Sequence, residues 1–146
     1  MRVFADSSAL VKLYSDERGY EAIRELPPAV VVCQLARVEV PAALWRKQRM
    51  GELAPEHAQV LTAEFEADYH GTEEEPPRFA AVAVTAALLE DAARICASHA
   101  LRAYDAVQLS AALAARAADP GCAAFAAFDG PLRAAAAAEA FSLIPT

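Results

Sequence analysis

Short apolar runs of strand length alternate along this chain with segments of helical length, and that alternation constrains its fold more than any other feature. Arg2–Ala5, Val30–Cys33, Phe79–Val84 and Ala123–Phe128 read as strands, and Ser142–Ile144 as a short last one. Between them lie helical patterns over Ser7–Tyr14, Gly19–Leu26, Leu35–Arg49, Pro55–Tyr69, Ala86–His99, Ala103–Ala118 and Pro131–Ala138. Pro27-Pro28, Gly51 and Asp119-Pro120-Gly121 supply the stops, and Pro55 suits a first helical turn. Strands separated by helices predict an α/β sandwich around a mainly parallel sheet of four to five strands. In such sheets ligands bind outside the carboxyl ends of the strands, so that edge is where chemistry is expected.

With 146 residues, 56% of them hydrophobic, the chain can bury one core, and residues 1–146 are expected to form one domain. The acidic stretch Gly71–Pro77 reads as a solvated connection rather than a boundary, because either half alone would have too small a core. Cys33, Cys96 and Cys122 are odd in number and set among apolar residues, which suits buried reduced thiols better than a disulfide framework or a zinc site. Asp6 interrupts the N-terminus before a signal-peptide core could form. The longest charge-free apolar stretch, Phe79–Leu89, is far below the roughly 20 residues that span a bilayer. A soluble cytoplasmic protein is expected.

Lysine and arginine total 13 against 20 acids, a net charge of −7, which argues against coating nucleic acid by bulk charge. It leaves open a nucleic-acid enzyme whose carboxylates are gathered around metal cations. Four acids stand where solvation does not explain them. Asp6 ends the first strand and Asp129 follows the fourth, both at the functional edge. Glu39 has apolar neighbours on both sides and falls beside a stripe of Leu35, Val38, Ala42 and Trp45, where it needs a cation or a donor. Asp105 opens an apolar helix near its positive end. Helix capping is the competing explanation for Asp6 and Asp129, and decoration of a first turn for Asp105. Pro41 implies that the helix carrying Glu39 either starts near Val40 or kinks beside Glu39.

Clustered carboxylates are the ligand type of a hard divalent cation, magnesium or manganese. Other chemistries lack their signatures. The five glycines are scattered and form no phosphate loop, no Gly-x-Ser-x-Gly elbow occurs, and His57, His70 and His99 have no paired ligand spacing. A phosphatase or phosphoacceptor domain would require a lysine near the third or fourth strand, but the only lysines are Lys12 and Lys47.

Asp6-Ser7-Ser8-Ala9-Leu10-Val11, Ala36-Arg37-Val38-Glu39-Val40, Leu101-Arg102-Ala103-Tyr104-Asp105-Ala106-Val107-Gln108-Leu109 and Phe128-Asp129-Gly130-Pro131-Leu132, in that order, resemble a PIN-domain ribonuclease of the VapC toxin type. The resemblance covers essentially the whole chain. It implies a PIN-like three-layer sandwich, with Asp6, Glu39, Asp105 and Asp129 as catalytic, metal-binding acids for Mg2+ or Mn2+ and Ser8 supporting them. It departs from the family at Ala127, where Ser or Thr is frequent, and at Gln108, where many relatives carry histidine. Losing one hydroxyl should weaken support of the site without abolishing metal binding.

The resemblance further implies a metal-dependent endoribonuclease that acts on single-stranded or loop RNA and leaves 5′-phosphate and 3′-hydroxyl ends. It also implies a cognate antitoxin protein and a homodimer. Arg37, Arg46, Lys47 and Arg49, concentrated on one helix, are candidate contacts to the RNA backbone, a solvated face being the plainer reading of each. A groove holding Leu13, Tyr14, Ile23, Leu44 and Trp45 is expected to receive an amphipathic segment of the partner, unless these side chains belong to the core. A PIN-like module that binds RNA or protein without cutting is the alternative that Ala127 keeps open.

Overall fold

The computed structural model describes residues Met1–Thr146, and its element order follows the alternation of the sequence. Strands β1 (Arg2–Ala5), β2 (Val30–Cys33), β3 (Phe79–Val82), β4 (Cys122–Ala126) and β5 (Ser142–Ile144) form one sheet. Its order is β3-β2-β1-β4-β5, and every pairing is parallel. Helices are α1 (Ser7–Val11), α2 (Tyr20–Arg24), α3 (Ala36–Arg49), α4 (Pro55–His70), α5 (Ala86–His99), α6 (Ala103–Ala118) and α7 (Gly130–Ala138).

Period-two alternation in the strands divides the interior into two apolar clusters, one on each face of the sheet. Val3, Ala5, Val30, Val32, Ala124 and Ala126 point to one side and pack with Leu10, Ile23, Val40, Leu44 and Phe65 from α1–α4. Phe4, Cys33, Cys122 and Phe125 point to the other and pack with Leu88, Ile95, Leu109, Leu132 and Ala136 from α5–α7. The α/β sandwich with a parallel sheet is therefore present, and the sheet has five strands.

Element ends differ where other groups claim the backbone. After Val11 the α1 segment tightens, with Lys12, Leu13 and Tyr14 donating to Ala9, Leu10 and Val11, the i→i−3 pattern of a 3₁₀ turn. Strand β3 stops at Val82 because the N–H of Val84 donates to the Gln34 side chain. Phe128 lies beyond β4, its ring under the Lys12 ammonium. Helix α3 runs from Ala36 through Pro41, so it does not begin near Val40.

The α3 stripe is corrected. Its buried residues are Ala36, Val40 and Leu44, while Val38 is 70% exposed, Ala42 is exposed and Leu35 and Trp45 are half-buried. The buried face is rotated from the expected one, and Glu39 still flanks it. Buried thiols are correct for Cys33 and Cys122, whereas Cys96 is only partly buried. The expected partner groove also fails in part: Ile23 and Leu44 are fully buried and Tyr14 nearly so, which places them in the core. No helix is long and apolar enough to cross a membrane.

Candidate functional site

The direction of strand succession reverses between β1 and β4: β2 and β3 build outward on one side, β4 and β5 on the other. A crevice at the carboxyl ends of such a pair is the usual ligand position of an open parallel sheet. Asp6 follows β1 directly and Asp129 lies three residues past β4, so both flank that reversal. Glu39 arrives from the first turn of α3 and Asp105 from the first turn of α6.

Asp6 and Asp129 are both helix caps, and capping uses only half of each carboxylate. Asp6 Oδ1 accepts from the N–H of Ala9 at 2.8 Å, and Asp129 Oδ2 from that of Leu132 at 3.1 Å. Asp6 Oδ2 is left without a partner, and Asp129 Oδ1 has only an arginine 3.7 Å away. Capping and chemistry are thus compatible at both positions, because the cap fixes the carboxylate while one oxygen remains free.

Glu39 is held by neutral donors. Ser7 Oγ donates to its Oε1 at 2.7 Å and Gln108 Nε2 donates to the same oxygen at 3.0 Å, while Gln108 Nε2 also reaches Ser7 Oγ at 2.9 Å. Ser7 and Gln108 are buried, so the donor side of this three-residue bridge between α1, α3 and α6 is shielded from water, while Glu39 is half-buried. Asp105 instead meets Arg102, whose Nη2 is 3.2 Å from Asp105 Oδ2 and 3.7 Å from Asp129 Oδ1.

Electrostatics tie the four acids together at Asp6. Burial pushes its carboxyl up to about 7; the Ala9 N–H pulls the other way, and the charges of Asp105, Glu39 and Asp129 add to the rise. A buried carboxyl surrounded by three further acids has the chemistry of a donor set for a hard divalent cation. Asp6, Glu39 and Asp105 each keep one oxygen without a hydrogen-bond or ion-pair partner, which suits that use. No three His, Cys, Asp or Glu side chains converge closely enough as they stand to hold an ion, so binding would require the side chains to turn inward.

A family model for the PIN domain matches residues 3–138. The chain belongs to the PIN-domain family. PIN domains are nuclease folds whose members are typically metal-dependent and act on RNA. A comparison with the curated proteins finds no match.

Around these four acids, the remaining expected residues are placed unevenly. Ser8 is exposed and lines a shallow cavity with Glu39, Arg102, Tyr104 and Asp105; the hydroxyl that bonds an acid is that of its neighbour, Ser7. Arg37 donates to His70 and pairs with Glu66. Lys47 pairs with Glu17 and Glu52 in a separate cavity that also contains His57. Arg46 and Arg49 are exposed near the end of α3, and Arg49 lies roughly 15 Å along the axis from Glu39 at 1.5 Å per residue. At about 100° per residue, these four cations are spread around α3 rather than set on one face.

Sequence reasoning missed Ser7 and Arg102 and noted Gln108 only as a departure. A usable signal existed for Gln108, which lies three positions after Asp105 and therefore on the same face of α6. Arg102 carries the same signal toward Asp105, three positions on, but nothing in the linear sequence links Ser7 or Arg102 to acids 32 or 27 positions away.

Proposed function

We propose that this PIN domain is a metal-dependent endoribonuclease in which Asp6, Glu39, Asp105 and Asp129 hold Mg2+ or Mn2+. The observation that supports this reading is that Asp6, buried at the strand reversal, feels the charges of Asp105, Glu39 and Asp129, with Arg102 the only cationic side chain paired to any of the four. A bound divalent ion supplies charge neutralisation at the phosphodiester and a water of lowered pKa.

The chain's own residues do the rest. The Ala9 and Leu132 N–H groups anchor one oxygen each of Asp6 and Asp129 and leave the other free of the cap. The Ser7–Gln108 pair does the same for Glu39 and leaves its Oε2 available. Such support from surrounding groups is typically worth 10- to 100-fold in metal affinity or activity.

The order of motifs further supports a toxin of a toxin–antitoxin pair, restrained in the cell by a small partner protein and active as a homodimer on single-stranded or loop RNA. Incubating single-stranded RNA with the protein, with magnesium and with chelator, beside the Asp6→Asn variant, tests the reading. Cleavage that needs both magnesium and Asp6 supports it. RNA binding without cleavage in any condition favours a non-catalytic module.

A further inference from the structure

Arg102 is an unusual residue to find at its position. It is the N-cap of α6, where the positive end of the helix favours an anion, and its side chain does not cap. Its guanidinium is explained only by what it faces: Asp105 through Nε and Nη2, at 3.4 and 3.2 Å, and Asp129 through Nη2 at 3.7 Å. It therefore bridges two of the four acids assigned above to the metal, while its side chain remains 82% exposed and free to swing away.

We infer that Arg102 is an exchangeable counter-ion, which neutralises Asp105 and Asp129 while the metal is absent and passes to a phosphate of the RNA when a divalent cation displaces it. The inference rests on the four acids being the metal site. A dication among those carboxylates repels a guanidinium a few ångströms away and removes the acids that held it. Arg102 lines the same cavity as Asp105 and Glu39, so the released fork stays beside the acids. Its planar donors match the non-bridging oxygens of a phosphodiester, whose charge the acidic site would otherwise repel.

The two roles predict opposite changes on removing one side chain, a pattern that loss of folding or of structure cannot produce. Arg102→Ala should bind Mn2+ more tightly, by about 1.4- to fivefold, since an exposed pair of this kind is worth 0.2–1 kcal/mol. The same variant, loaded with Mn2+, should bind a cleavage-resistant 2′-O-methyl single-stranded oligoribonucleotide more weakly. Its salt dependence should lose about 0.7 in the slope of log K against log salt, the value of one phosphate contact. Arg102→Lys should fall between wild type and Arg102→Ala in both assays.

Calorimetry with Mn2+ alone and anisotropy with the oligonucleotide provide the readouts. The Arg94→Ala variant, which removes an equally exposed charge paired on α5, controls for net charge. Tighter metal together with weaker RNA in Arg102→Ala but not Arg94→Ala supports the exchange. Unchanged or weaker Mn2+ binding in Arg102→Ala overturns it, and if Asp6→Asn/Asp105→Asn still abolishes that binding, the metal site itself stands. Should no variant and no wild-type protein bind Mn2+, the site reading and the exchange fall together.

Discussion

Replacing Asp6 with asparagine should stabilise the metal-free protein, even though it removes a residue at the centre of the proposed site. Asparagine keeps an oxygen to accept from the Ala9 N–H, so the cap on α1 survives. What disappears is a buried negative charge. The unfolded carboxyl titrates near 3.8 and the native one near 7, so the native state binds its proton more tightly. Stability of the wild type therefore falls as pH rises through that window. Measured against low pH, the wild type loses on the order of 4 kcal/mol by pH 8, where the native carboxyl must ionise, and less than half of that by pH 5, where it keeps its proton and only the unfolded chain ionises. The direction of the shift fixes their order. Urea unfolding of both proteins in chelator, at pH 5 and pH 8, reads the effect as a difference in free energy. Asp6→Asn should gain roughly 2–4 kcal/mol at pH 8 and clearly less at pH 5. Equal stabilities at pH 8, or a gain that does not change with pH, would refute the claim that Asp6 is held charged against its surroundings.

Magnesium or manganese should raise the melting temperature of the wild type, because an ion that binds only the native state shifts the folding equilibrium. Asp6→Asn/Asp105→Asn should lose most of that response, as a thermal scan with and without metal would record. Gln108→Leu removes one of two donors to Glu39 and should weaken Mn2+ binding by 10- to 100-fold in calorimetry while Tyr14 and Phe65 stay packed by near-UV dichroism. Gly19→Ala should destabilise the fold by more than 1 kcal/mol in urea titration: Gly19 has φ +90°, and a Cβ there would meet the Phe128 ring at 2.5 Å. Leu44→Ala, fully buried between α3 and the sheet, should cost 2–5 kcal/mol in the same assay.

The sheet was legible because each strand is a short apolar run bounded by turn or polar residues, as at Val30–Cys33 between Pro27-Pro28 and Gln34. Its parallel pairing followed from helix-length connections, which leave no hairpins. Helix faces were less legible. On α3 the arginines and alanines give almost no amphipathic contrast, so a wheel drawn on Leu35, Val38 and Trp45 selected a face that the packing of α3 only partly covers, leaving Val38 in solvent. The four acids stood out singly, as charges in apolar company or at strand ends. Their supporting bonds did not, because Ser7, Glu39 and Gln108 meet only when three elements pack, across 69 positions between Glu39 and Gln108. The arginines show the same limit from the other side: clustering on α3 suggested one surface, whereas the helical turn spreads them and Glu66, Glu17 and Glu52 hold Arg37 and Lys47. Arg102, not on that helix at all, is the cation that reaches the acids.

The central claim is that Asp6, Glu39, Asp105 and Asp129 share a divalent cation, and a crystal grown with manganese tests it most directly. Anomalous scattering from Mn2+ locates the ion independently of any interpretation of the surrounding density. The account predicts a peak bound by Asp6 and at least two of the other three acids, with the Arg102 guanidinium withdrawn from Asp105. A fully occupied peak held by other residues, or an acid cluster without manganese at saturating concentration, would contradict it.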